Sequence, residues 1–196
     1  MSDPHFFGYG SLVNVASHGY GPTAPAHLPG WRRRWQATDL RPAAFLTAYR
    51  APGDGIEGLV APVPARDWAT LDQRERGYER VAAAGLRHGL AAETEIVVYA
   101  IPDSAGVTPV EHPILLSYLD VVVKGYAEQF GEDGVARFMN STDGWHLGVA
   151  DDRAAPVYPR AQDVGDAIRG LTDAWLRALD AQRVAFDAHR LAVAQT

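Results

Sequence analysis

The 196-residue chain contains no cysteine and only two methionines. Without a thiol there is no disulfide framework, no cysteine nucleophile and no thiolate-ligated zinc or iron–sulfur site. Basic residues are also in deficit, 18 against 24 acidic ones for a net charge of −6, so the chain offers no electrostatic footprint for nucleic acid or an anionic membrane. Long apolar runs are missing: residues 114–123 (ILLSYLDVVV) are too few to span a bilayer and include Asp120. The N-terminus is polar and then aromatic, unlike a secretory leader. The seven histidines show no HxH, HxxxH or HExxH spacing, so no metal is expected, and no phosphate-loop or dinucleotide fingerprint calls for a cofactor. These absences point to a soluble cytoplasmic protein that meets a small molecule rather than nucleic acid or a membrane. They say nothing of oligomeric state.

What is present supports a sizeable core. With 47% apolar residues, positions 1–196 read as a single domain, in which 160–196 form a C-terminal helical extension packed on the rest. Strand-like segments fill the first hundred residues: HFFGYG, residues 29–39, AFLTAYRA, IEGLVAPV, YERVAAAGL and EIVVYAI, separated by turn signals such as PGDG at 52–55. One helix interrupts them, from Pro64 or Ala65 to a stop at Gly77. After Pro102 the pattern turns helical. Pro113 opens PILLSYLDVVVKGYAEQFG, apolar nearly all round, and GVARFMNS reads as a second short helix. A last segment from about Gln162 to His189 places Val164, Ile168, Leu171, Trp175 and Leu179 on one face. Residues 150–159 read as an ordered loop. The class is α+β, with a closed or strongly curved sheet covered by C-terminal helices.

Residues 6–14, FFGYGSLVN, are the first candidate for chemistry. Successive N–H groups in a glycine-rich turn can form an anion-binding nest, and the simpler reading is a plain tight turn. The motif is neither GxxxxGK[ST] nor GxGxxG nor GxSxG, which argues against a phosphate loop, a dinucleotide turn and a serine nucleophile at Ser11. On the helix, Trp68, Leu71 and Glu75 share one face, so a carboxylate stands where a leucine is expected. Burial and the negative end of the helix dipole would both raise the Glu75 pKa, towards the value a general base needs. The alternative for Glu75 is a salt bridge to Arg74, Arg76 or Arg80 on a solvated helix end. Arg32, Arg33 and Arg34 alternate along a strand and read as surface charges, with an anion patch as the second reading. Asp120 and Lys124, four apart, are expected to pair, and Tyr118 reads as core.

Together these pieces become more specific. FGYGSL after a first strand, then GWRRRW, IEGLV and LDQRERGY, in this order and spacing up to the helix at 113–130, resemble the γ-glutamylcyclotransferase family. The resemblance implies a small β-barrel of mixed strands with surrounding helices. It also implies an intramolecular aminoacyl transfer of the transferase or lyase class, in which the γ-glutamyl group of a peptide or amine closes to 5-oxoproline and the amine is released, as in glutathione metabolism, without metal or cofactor. It places the catalytic acid/base at Glu75, substrate-binding backbone at Tyr9, Gly10, Ser11 and Leu12, and a pocket tyrosine at Tyr118, followed seven residues later by Gly125. Members acting on glutathione tend to have Arg-Gly after the GWRRRW-type strand, and here Arg41 is followed by Pro42, which points away from glutathione. The residues after Trp145 match no family motif. A non-catalytic binding protein for a small carboxylate on the same fold is the alternative function.

Overall fold

The computed structural model describes residues 3–91, 94–107 and 112–185. Its first half is strand: β1 (His5–Gly8), β2 (Ala24–Thr38), β3 (Arg41–Pro62), then the short helix α1 (Trp68–Arg74), followed by β4 (Glu79–Ala82), β5 (Arg87–His88) and β6 (Ile96–Ala100). The second half runs through β7 (Ile114–Leu115), the helix α2 (Leu116–Asn140), β8 (Thr142–Asp143), β9 (Val149–Ala150), α3 (Gly165–Ala178) and β10 (Arg183–Val184). The larger sheet has the order β4-β6-β1-β3-β2-β5, with β8 on the flank of β2, and a small sheet is ordered β10-β9-β7. The class is α+β, and the pairing is mixed, with β1 parallel to β6 and antiparallel to β3. The expected closed barrel is not seen: β4 and β5 end the path, and no pairing joins them among the described residues.

Two expected strands are one. PGDG does not separate AFLTAYRA from IEGLVAPV, because β3 runs through it. Pairing passes from Trp31–Arg50 to Pro29–Gly55, so residues 51–54 bulge out opposite Gly30. Gly53 and Gly30 have φ of 95° and 75°, so both strands can bend at the same level and stay paired.

Alternation in β1 divides the core. Phe7 joins the main cluster under α2, with Leu116, Leu119, Val122 and Tyr126. Phe6 faces the other way and packs with Leu12, Val63, Leu71 and Tyr99 beneath α1. The chain therefore leaves the end of β1 between the two helices.

The helices depart in part from the sequence pattern. The expected 64–77 helix begins as a tight turn at Pro64–Arg66, where Ala65 and Arg66 take positive φ, and the α-helix starts only at Trp68. Asp67 caps it, its carboxylate accepting from the Thr70 N–H at 3.1 Å. α2 is broken at Gly131 (φ 66°, ψ −172°), at the junction between the two helical segments read from the sequence. α3 buries Thr172 and Leu176, with Ile168, Leu171, Trp175 and Leu179 packed alongside. It stops at Ala178 because Asp180 takes a left-handed conformation (φ 51°). The rest of the expected helix to His189 lies partly outside the described residues. No helix among the described residues is long and apolar enough to cross a membrane.

The loop at 150–159 is tied down by charge. Asp152, buried, accepts from the Ser117 N–H (2.8 Å), the Ser117 hydroxyl (2.6 Å) and the Val157 N–H (2.9 Å), and so caps the start of α2. Asp120 does not pair with Lys124. Arg153 takes it instead, at 2.7 and 2.8 Å, and also holds Asp173 of α3, while Lys124 pairs with Glu128.

Candidate active site

The sequence-predicted residues meet at the end of β1. A small cavity there is lined by Gly8, Tyr9, Gly10, Ser11, Leu12, Leu46, Glu75, Tyr78, Tyr99 and Tyr118, among others. It abuts a larger cavity of about 240 Å³, and the two share Ser11, Leu46, Glu75, Tyr78 and Tyr118.

The turn after β1 has its acceptors filled, while its donors meet no backbone carbonyl. The Tyr9 carbonyl accepts from Arg33 Nε (3.2 Å) and the Tyr126 hydroxyl (2.9 Å). The Gly10 carbonyl accepts from the Val13 N–H, and the Ser11 carbonyl from the Asn14 N–H and the Ser17 hydroxyl. The Leu12 carbonyl faces His18 Nε2 at 3.0 Å. By contrast, the N–H groups of Gly10, Ser11 and Leu12 meet no backbone carbonyl among the described residues. The Ser11 N–H lies by the Tyr118 hydroxyl and favours its ionised form, although burial raises that phenol well above its ordinary value. Because a trans peptide sets C=O and N–H on opposite sides, anchoring the Tyr9 carbonyl on Arg33 turns the Gly10 N–H away from Arg33. A Cβ at residue 10 would come within 2.8 Å of the Tyr118 oxygen, so close approach requires glycine here.

Not every side chain of this turn faces a ligand. The Tyr9 hydroxyl donates to the Tyr99 carbonyl (2.6 Å) and accepts from the Ala48 N–H (3.1 Å), which makes the ring a strut in the core. Leu12 is buried against Leu71 and Phe6. What Tyr9 and Leu12 can offer a ligand is backbone.

Glu75 terminates α1, its N–H still bonded to the Leu71 carbonyl at 2.9 Å. Its side chain is 16% exposed and accepts from Arg74 Nε at 3.1 Å. Burial raises its pKa, while Arg74 and then Arg160 pull it down, and the net direction is up. The ion-pair and functional readings of Glu75 are thus compatible: one arginine restrains a carboxyl that still faces the cavity. Tyr118 stands over the turn from α2, edge-on to Tyr158 with ring centroids 4.9 Å apart.

One neighbour of the turn was misread from the sequence. Arg33 is not a surface charge: it is 1% exposed. Besides Tyr9, it donates to the Glu57 carbonyl (2.5 Å), the Ser141 hydroxyl (2.9 Å) and the Tyr126 hydroxyl (2.6 Å), and it stacks near Tyr126 and Phe138. No carboxylate pairs with it among the described residues. The signal was available, because alternation puts Arg33 on the face of Trp31 and Trp35, both buried. Arg32 and Arg34 are the partly exposed neighbours, paired with Asp54 and Asp143 and with Asp103. Tyr78, the last residue of LDQRERGY, and Tyr158 also line the larger cavity; Tyr158 carried no signal of its own.

Known structures share this arrangement of elements. YkqA from Bacillus subtilis superposes with a TM-score of 0.54 at 17% identity, over 74% of this chain and 57% of that one. A gamma-glutamyl cyclotransferase superposes with a TM-score of 0.50 at 15% identity, over 89% of this chain and 99% of that one. The fold is that of the γ-glutamyl cyclotransferases. An uncharacterized protein from Homo sapiens gives the same TM-score, 0.50, at 14% identity over 88% and 99% of the two chains. The chain thus spans little more than half of YkqA and nearly the whole length of the other two. No family model matches the chain, and no curated protein does either. Within the γ-glutamyl cyclotransferase fold of this chain, the cavity lies where β1 ends between α1 and α2.

Proposed function

We propose that this chain is a γ-glutamylcyclotransferase-type enzyme that closes the γ-glutamyl group of a peptide or amine to 5-oxoproline and releases the amine, with Glu75 as general acid/base. The observation that carries this reading is a single small cavity lined by Glu75, Tyr118 and the donor-rich Gly10–Leu12 backbone.

The chemistry follows from these groups. The substrate's α-amine must shed a proton before its nitrogen bonds to the γ-carbonyl carbon; ionised Glu75 accepts that proton. As the bond from the γ-carbon to the leaving nitrogen breaks, Glu75 returns the proton to that nitrogen. No water is consumed. A carboxyl raised from its ordinary value by burial suits both transfers, and Arg74, whose charge favours the carboxylate, opposes that rise. The N–H groups of Gly10 and Leu12, with the Ser11 N–H beside the Tyr118 hydroxyl, suit either the α-carboxylate or the oxyanion that forms on the γ-carbonyl, and Tyr118 borders the same space.

The test is 5-oxoproline release from a panel of γ-glutamyl compounds, glutathione included, by wild type and Glu75→Gln. Release that disappears in the variant, with 5-oxoproline still bound, is the expected result. A folded protein that binds 5-oxoproline and turns over none of the panel would instead be a carboxylate-binding protein.

A further inference from the structure

The larger cavity is more basic than the molecule that carries it. Arg41, Arg74, Arg76 and Arg160 contribute to its wall, and Glu75 is its one carboxylate among the described residues, in a chain of net charge −6. These arginines come from three separate places: the start of β3, the end of α1 and the loop before α3. Arg74 is held by Glu75. Arg41, Arg76 and Arg160 have no ion pair among the described residues, whereas Arg32, Arg34, Arg137 and Arg153 elsewhere each have a carboxylate. The Arg41 guanidinium lies over the Phe45 ring, 5.2 Å from its centroid, so an aromatic face rather than a carboxylate holds it.

A count of charge shows what this wall would favour. Glu75 offsets Arg74, and the donors of the turn at residues 10–12 can take the one carboxylate of the glutamyl head. Three guanidiniums remain for whatever is attached to the γ-carbon. A polyamine there would set an ammonium among them, and a neutral amine would leave them unanswered.

We propose that the leaving amine is an acidic amino acid or acidic peptide with two or more carboxylates, so that the substrate class is that of γ-glutamyl-glutamate and γ-glutamyl-aspartate. This rests on the cyclotransfer reading above. The α-nitrogen bonds to the γ-carbon, the bond from that carbon to the acidic amino acid's nitrogen breaks, and the proton carried by Glu75 completes the free amine. Arg41, Arg76 and Arg160 act as specificity residues that meet the carboxylates of the departing portion.

The experiment compares kcat/KM for 5-oxoproline release by the full chain from γ-glutamyl-glutamate, γ-glutamyl-alanine, γ-glutamyl-ethylamide and γ-glutamyl-putrescine. Each is measured at low and high salt, in wild type and in the Arg76→Gln/Arg160→Gln double variant, whose altered side chains are on exposed residues. The expected order is diacid, monoacid, neutral, cation, with about tenfold between the diacid and the ethylamide, which is what two exposed ion pairs together supply. That ratio should contract to about two- or threefold at roughly 0.5 M salt, and likewise in the double variant. Equal rates, or a preference for the neutral or cationic compound, would overturn this inference and leave cyclotransfer standing. A diacid preference that ignores both salt and the double variant would overturn the role of the arginines. No release from any compound would overturn the cyclotransfer reading and this inference with it.

Discussion

Replacing Arg33 by methionine separates the stability of the core from the geometry of the turn. The guanidinium serves four oxygens: the Tyr9 and Glu57 carbonyls and the Ser141 and Tyr126 hydroxyls. In Arg33→Met the Tyr126 hydroxyl has one proton for the two carbonyls it now touches at 2.9 and 2.8 Å, so one buried carbonyl is left without a donor. That costs about 1–3 kcal/mol. Methionine keeps most of the volume, and the desolvation cost of a buried guanidinium without a carboxylate disappears, a gain of similar order. The expected net loss is about 0–2 kcal/mol, read as a modest shift of the urea midpoint with an unchanged slope. Turnover should suffer more. With the Tyr9 carbonyl released from its charged partner, the Gly10 N–H loses its fixed direction, and losing an aimed donor of this kind costs up to about 10² to 10³ in kcat. A folded Arg33→Met protein that releases 5-oxoproline at the wild-type rate would refute the claim that Arg33 aims the turn.

Two further outcomes follow from the same geometry. Because burial raises the folded-state pKa of Glu75, the stability this group contributes is complete below the unfolded value of about 4.3 and is lost as pH rises through the folded value. Glu75→Gln, uncharged throughout, should therefore melt with wild type at acid pH and above it at pH of about 8, in a thermal series followed by circular dichroism; parallel curves would mean that the folded pKa is not raised. Gly125→Ala puts a Cβ 2.5 Å from the Asn14 backbone nitrogen and 2.8 Å from its Cα, contacts that backbone cannot easily yield. Overpacking of about 1–3 kcal/mol outweighs alanine's helix advantage of about 1 kcal/mol, so melting temperature and turnover should fall together, and an alanine protein unchanged in both would show that the contact is slack.

Much of the site could be read from local signals. Glu75 interrupts an apolar helix face, and the glycines of FGYGSL announce a turn in which backbone comes close to something else. The helix break near Gly131 and the apolar face of α3 were equally local. What escaped depended on pairing across distance. Arg33 looked like one of three similar charges until β2 was set against the interior, where two tryptophans share its face. PGDG has the composition of a hairpin turn, yet a partner strand that bulges at the same level carries β3 straight through it. Asp120 chose Arg153 over the local Lys124 because the loop at 150–159 brings a fork of donors to two acidic residues on different helices. Tyr158 could not be assigned a place without knowing where that loop lies.

Gly125 follows Tyr118 by seven residues, two turns along α2, so both look onto the segment 10–14. One touches Gly10 and the other touches Asn14. The helix and the turn are thus kept apart at Gly125 by the thickness of a glycine, about 10 Å along the helix from Tyr118, as a shim keeps a working clearance between machine parts. Loop residues such as Tyr158 and Arg160 line the larger cavity without touching that contact, so they can be exchanged while the clearance at Gly10 stays as it was. Redesign of what this cavity accepts is therefore separable from preservation of how closely it grips, provided that the shim is left alone.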